Sequence, residues 1–589
     1  MGGIGLILNV AKEALMTQQH AIDVVGHNVA NVNTPGYTRQ TPTLQNQQAA
    51  PYSGMLFGRG VELVDIMRNT DAFIETMLQK KETDLTGMSE KEIYLSSMEL
   101  IFNENSGRSL SSQMAEFWNA WQDVSNNPSG LSERSILLET AELLAGSFRD
   151  TYHDLDTLSK EINKGIDAGV TRANELLVQI ADINEKIVAI EVKGTASDLR
   201  DQRTMLVREL GEHMDISSYE HEEGSLTVTT ARGYILVSRA DHYSLTFDGH
   251  DIRWEGSGNN MVAITDTILG GKMGGWLDMR DDVIPKHQAD LSELAKSLAW
   301  EVNEIHSQGV GTTEFGSLTS TYGAADSTEE MGTIDSGLDF YDRITDGAFT
   351  LWLYDDTGAV VGSTSVAIAA AGTTLDGLAA TLDGLVVGGE NALTAAVVNG
   401  KLQIQVDGAS GYGGYSFAFS DDTSHVLSAL GINTFFTGSD ANTIGVNDIF
   451  NTDQRLIAAG KVDAFGAMAA GDNTNALDLA NLQYEGVTIR KWSYERGGAP
   501  TYLDLPNTTL ENYLHDFVGS IGIQSQSVQR EREYNEVIID QLKMTRENIS
   551  GVSIDEEMTN LIKFQQAYAA AAKLVTTADE MLKVILETK

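Results

Sequence analysis

LNVAKEALMTQQHAIDVVGHNVANVNTPGYT, residues 8–38, decides how this chain is read. Small or apolar side chains fall at Leu8, Ala11, Leu15, Ile22, Val25, Val29 and Val32, in alternating steps of three and four, with Gln18 the one interruption. That spacing puts them on one stripe of a helix, the seam of a coiled coil. The other end of the chain, NLIKFQQAYAAAAKLVTTADEMLKVIL (560–586), repeats the spacing unbroken at Leu561, Phe564, Tyr568, Ala571, Val575, Ala578, Leu582 and Ile585. A helix with one apolar stripe must cover it, and the comparable seams stand at opposite termini. Pairing the two ends is the expectation. Two unrelated amphipathic helices, each docked on one globular body, is the alternative that periodicity leaves open.

The first seam runs into Asn31-Val32-Asn33-Thr34-Pro35-Gly36-Tyr37. The residue before a proline is driven out of the α region, asparagine tolerates left-handed geometry, and Pro-Gly suits the centre of a type II turn. The helix therefore ends here. As a string, Gly26 to Gln40 resembles the amino-terminal signature of the bacterial flagellar axial proteins, the family of rod, hook and hook-associated proteins. Ser550-Gly551-Val552-Ser553-Ile554-Asp555-Glu556-Glu557-Met558 and the seam after it resemble the family's carboxy-terminal signature. Interior phrases narrow the likeness: Ser197-Asp198-Leu199-Arg200-Asp201-Gln202-Arg203, Gly274 to Asp281, Ala299 to His306 and Gly471 to Leu477 resemble the hook-associated members of the hook–filament junction more than hook or rod proteins. The likeness covers roughly residues 1–308 and 471–589.

That resemblance implies a structural part built by self-assembly, in contact with hook protein and with a second junction protein. It also implies export through the flagellar type III channel without a cleaved signal, an extracellular site at the hook–filament junction, and a cytoplasmic export chaperone on the C-terminal helix. A hook or distal rod protein is the nearest alternative. A secreted adhesin with a ligand-binding β domain is a more distant one.

Composition sets bounds of its own. The chain has 589 residues, a length that suggests about four domains. With 84 acidic and 40 basic residues its net charge is −44, a field that disfavours nucleic acid and anionic lipid as partners. No apolar run approaches a membrane span, and the start lacks the positive region of a secretory signal. There is no cysteine, which excludes disulfides, thiolate catalysis and cysteine metal sites. No zinc helix, nucleophile elbow, phosphate loop or dinucleotide fingerprint is present, so no enzyme activity, cofactor or metal is expected. Adjacent acids such as Asp281-Asp282, Asp355-Asp356 and Asp421-Asp422 lack the regular spacing of a calcium loop. His306, at a helix end, is expected to cap or pack, its charge favouring the dipole.

Along the chain, helical patterns are expected at about 71–102, 110–124, 132–191, 276–306 (with a break at Ile284-Pro285) and 510–548. The last part of the third carries Ile166, Ala173, Leu176, Ile180, Ile183, Ile187 and Ile190 at coiled-coil spacing, and its length implies an elongated body. Between about 216 and 267 the period changes to two, with Asp248-Gly249 a hairpin dipeptide: a small β subdomain. From 309 to 454 there are 19 acidic residues, two basic ones (Arg343 and Lys401) and 22 glycines, with short strand-like runs. The fold class expected is mixed and multidomain, in three nested parts. Residues 1–45 with 550–589 form a helical coiled coil, disordered in the monomer. Residues 46–308 with 471–549 form a helical body carrying a β subdomain at about 216–275. Residues 309–470 form a Gly-rich acidic all-β insertion on the outside.

Overall fold

The computed structural model describes residues 2–52, 55–102, 109–192, 194–258 and 260–587. These described residues are mostly helical, with several small sheets and no barrel among them. Contacts group the chain into two compact units rather than three parts: residues 1–93, 161–279 and 526–589 in the first, 94–160 and 280–525 in the second.

The first unit holds both terminal helices, Gly2–Ala30 and Ile554–Glu587, which pack on each other. After the N-terminal helix an antiparallel ladder pairs Gln40–Asn46 with Val61–Arg68, from Gln40↔Arg68 to Asn46↔Val61. A shorter pair, Ala50–Tyr52 with Met55–Phe57, extends its tip. Of the 61-residue helix Leu131–Glu191, the part in this unit buries Ile162, Ile166, Ala173, Leu176, Ile180 and Ile187, while Ile190 faces out. Asn184 sits buried among these apolar positions because both ends of its amide are used: Nδ2 donates to the Leu226 and Arg239 carbonyls, and Oδ1 accepts from Leu226 N and Arg203. Ser197–His213 follows as a separate helix. The β subdomain is a four-stranded meander over Ile216–His242 and a three-stranded sheet over Leu245–Ala263, with Phe247↔Ile252 flanking the Asp248-Gly249 turn.

In the second unit the helix Leu110–Asn126, capped by the Ser109 hydroxyl on Ser112 N, inserts Phe117, Trp118 and Trp121 into an aromatic core with Phe435, Phe436 and Phe450. The expected break before Pro285 falls a turn earlier: a π-helical stretch, Met279–Val283, separates Gly271–Asp278 from Ile284–Ser307. Proline is comfortable in a first helical turn, where its missing N–H has no partner to lose. The 309–470 segment is not all-β. Its sheets, one centred on Gly347–Tyr354 and one on Lys401–Val406, are joined by the helices Leu375–Asp383 and Val426–Leu430, whose buried Leu375, Leu378, Leu382, Val426 and Leu430 complete the same core. An Ala- and Gly-rich stretch with leucines at steps of three and four is a short helix, which the strand-like runs on either side obscure. A hairpin, Val487–Ser493 with Thr501–Thr508, was also not expected.

His306 packs, one of the two roles expected of it, but without the expected charge. Its ring is buried among Trp121, Phe435 and Phe450, and both nitrogens are engaged: Nδ1–H donates to the Asn433 carbonyl at 2.8 Å and Nε2 accepts from Ala458 N–H at 3.0 Å. Burial pushes its pKa down to about 4, so the ring is neutral and stabilises by packing and hydrogen bonding, with no charge for the helix dipole.

Candidate assembly interface

The two terminal helices run antiparallel, the end of the first meeting the start of the second. At that meeting point Asn28 and Glu557 are both buried, and Asn28 Nδ2 lies 3.1 Å from Glu557 Oε2. The same nitrogen donates to the Gln40 carbonyl at 2.8 Å, while Oδ1 accepts from Gln40 N at 3.0 Å and from the Tyr37 hydroxyl at 2.8 Å. Arg39 clasps the start of the C-terminal helix: Nε and Nη2 each lie 2.8 Å from Glu557 Oε1, and Nη1 lies 2.7 Å from Glu556. Its own N–H donates to the Ser550 carbonyl. Charge-assisted bonds of this length, one partner buried, are the strong ones.

The signature turn is locked from a third side. Thr38 donates to Asp201 through both N–H and hydroxyl, at 3.0 and 2.6 Å, and Arg68 reaches the same carboxylate at 3.0 Å. Burial raises the Asp201 pKa against the opposing pull of Thr38 and Arg68, and burial lowers that of Arg68. Tyr37 is raised by burial and by the carboxylates of Asp198, Asp201 and Glu557, so its hydroxyl stays a donor. Gln40 Nε2 donates to Asp198. Within the turn, Asn31 Nδ2 donates to the His27 carbonyl and Thr34 to Asn31 Oδ1; Asn33, Thr34 and Pro35 are exposed. Gly36 takes φ +78°, and a Cβ there would lie 2.5 Å from Met205 Sδ. Three stretches far apart in the chain, 28–40, 197–203 and 550–557, thus converge on one polar knot.

The sequence-derived seam residues divide as follows. On the N-terminal helix Ala11 and Val25 are buried, Leu8, Leu15, Ile22 and Val29 are half-buried, and Val32 lies in the turn beyond Ala30. Ile4, Thr17, Ala21 and Val24 are buried too, because this helix also faces the hairpin: Thr17 Oγ1 donates to the Val61 carbonyl. On the C-terminal helix Ala571 and Ala578 are buried, and Leu561, Phe564, Val575 and Leu582 are half-buried. Tyr568 and Ile585 face outward, with Ala567 on the inner side in place of Tyr568. Ile562, Leu574, Met581 and Leu586 are exposed apolar side chains on the rest of its circumference. Glu557 and Asn28 were missed as determinants, though the pattern held a cue. Stepping back four from Leu561 lands on Glu557, and stepping on three from Val25 lands on Asn28: each seam carries one polar residue at the end where the helices meet.

Neighbouring acids are occupied locally. Asp281 pairs with Arg280, Asp355 Oδ1 closes a turn on Thr357 and Ala359, and Asp422 accepts from Ser424 and Leu427 N. Among the described residues no group of three His, Asp or Glu is placed to hold a metal ion, and no helix is long and apolar enough to cross a membrane.

Comparison with known proteins bears on the same segments. A family model for the flagellar hook-associated protein FlgK helical domain matches residues 95–318. A flagella basal body rod protein model matches 8–38, and a flagellar basal body rod FlgEFG protein C-terminal model matches 546–588. The chain is 25% identical over 588 residues to flagellar hook-associated protein 1 of Bacillus subtilis (strain 168), covering 98% of this chain and 97% of that protein. It is also 25% identical to the protein of the same name from Escherichia coli (strain K12), over 624 residues, 99% of this chain and 100% of the other. The solved structure of the flagellar hook junction protein FlgK from Burkholderia pseudomallei aligns with a TM-score of 0.48 at 15% identity, covering 80% of this chain and all of that one.

Proposed function

We infer that this chain, like the flagellar hook-associated protein 1 it resembles, works as a structural part of the bacterial flagellum at the junction between hook and filament. The observation that carries this reading is the near-full-length likeness to curated proteins of one name in distant bacteria, with both terminal signatures at their proper ends. The match to a hook-associated helical domain over 95–318 favours this place over hook or rod.

The terminal pair is the assembly element. Its inner face joins the two helices, and the exposed Ile562, Leu574, Met581 and Leu586 are left to be covered by neighbouring subunits. Subunits meet head to tail, one surface against a different surface of the next, which builds a tube or ring and not a closed pair. Burying one face of each helix returns less than ordering about thirty residues costs, so in the free monomer the ends are largely disordered and fold on assembly. In this reading the chain leaves the cell unfolded through the type III channel, with a chaperone on the C-terminal helix. It then sits between hook protein and a second junction protein, adapting a bending hook to a stiffer filament. Immunogold labelling of intact flagella tests the placement: label confined to the distal end of the hook supports it. Label along the whole hook, or none, overturns it.

A further inference from the structure

The hairpin after the signature turn ends in a surface that this chain leaves uncovered. Its long strands run back along the N-terminal helix, where a Cβ on Gly60 would lie 3.5 Å from Val10 and the Val61 carbonyl accepts from the Thr17 hydroxyl. The tip strand Met55–Phe57 therefore lies toward the start of that helix, and the signature turn lies at its end. From Val10 to Asn28 is about 27 Å of helix. Met55 and Leu56 at the tip are 65% and 74% exposed. No charged residue stands between Arg39 and Arg59, in a chain of net charge −44. Arg59, just past the tip, is exposed and has no ion pair among the described residues.

At the other end of the same helix lies a groove of about 510 Å³, walled by Pro35, Tyr37, Ile183, Met205 and Leu206, with Asp198 beside them. That size holds a few apolar side chains. The Asp198 side chain is 59% exposed; His27 Nε2 lies 3.7 Å from one of its oxygens and Gln40 Nε2 donates to the other.

We propose that the tip Met55–Arg59 of one copy docks in this groove on a second copy, Leu56 seated between Tyr37 and Met205 and Arg59 paired with Asp198. The assignment rests on the self-assembly reading above and names the contact through which it proceeds. Tip and groove stand about a helix length apart in one copy, so they meet only between copies. Being different surfaces, they generate a ring or a helical array and not a closed pair. Copies this acidic repel over most of their surface, so contact falls to neutral or complementary patches, and these two are both.

The absence of cysteine makes the test clean. Cells carry the full-length chain with Leu56→Cys and Met205→Cys, and isolated hook–filament preparations are oxidised and run without reductant. A ladder of dimers, trimers and higher multimers is expected from the double variant, and none from either single variant. Monomers alone, or dimers alone, in preparations that label for the protein would overturn the proposal. Absence of the unsubstituted protein from the junction would instead bring down the functional reading. A charge exchange gives a second readout that leaves the tip's apolar side chains intact: Arg59→Glu lowers the number of labelled junctions about tenfold, and adding Asp198→Lys restores it. No recovery in the double variant would contradict the pairing.

Discussion

Asn28 and Glu557 are 529 residues apart in sequence and share a buried 3.1 Å hydrogen bond. Only an amide serves at position 28. Its nitrogen gives protons to Glu557 and the Gln40 carbonyl, and its oxygen takes them from Tyr37 and Gln40 N. The two ends of the chain are thereby tied through the turn that separates helix from hairpin.

Replacing Asn28 with Asp removes the donor and sets a second carboxylate against Glu557 in a buried site. The expected loss is about 3–5 kcal/mol, against about 1–3 kcal/mol for Asn28→Ala, which leaves acceptors unpaired but adds no repulsion. Heat release of the protein from isolated hook–filament preparations checks this. The Asp variant should come off at the lowest temperature and the Ala variant between it and the unsubstituted chain.

Gly36 supplies the second test. Alanine there must adopt φ +78° and meet Met205 Sδ, two separate penalties, the first about 1–2 kcal/mol. Met205→Ala in the same chain relieves the second only. The double variant should therefore be more stable than Gly36→Ala and less stable than Met205→Ala, as read by heat release from isolated hook–filament preparations.

The helical seams were legible because a stripe at steps of three and four needs no knowledge of its partner. The hairpin dipeptide Asp248-Gly249 and the long helix from residue 132 were readable on the same local grounds. The knot of Asn28, Arg39, Asp201 and Glu557 was not, since each residue is ordinary in its own helix or turn and acquires meaning only from charge and burial brought by the other segments. The charge expected on His306 misled for the same reason. Local sequence shows a helix end, while the aromatic cage that keeps the ring neutral comes from residues more than 100 positions away.

That cage has a pH consequence. The His306 pKa of about 4 lies below the ordinary 6.5, so the unfolded chain takes up the proton first as pH falls. Its contribution is fully present above about pH 6.5 and is lost between there and about pH 4, roughly 3 kcal/mol in all. His287, lowered to about 3 by burial, acts in the same direction. Urea unfolding across pH 4–7 should show the second unit losing stability with acid, and His306→Gln should remove its own share of that slope while keeping the share of His287.

The two faces of the C-terminal helix should respond differently. Leu561, Val575 and Leu582 changed together to Asp break the inner face, leaving a soluble chain with its second unit folded and cells without filaments. Ile562, Leu574 and Met581 changed together to Ser spare the inner face and remove exposed apolar side chains, so the monomer is unaltered and fewer junctions carry label. Electron microscopy of the cells and labelling of their junctions separate the two outcomes.

Amide hydrogen exchange over residues 15–29 and 561–585, compared between the free monomer and the assembled flagellum, bears most directly on the claim that these ends exist for assembly. Rapid exchange in the monomer and strong protection in the flagellum is the expected result. Equal and strong protection in both states would contradict it, because the helices would then be complete without neighbours.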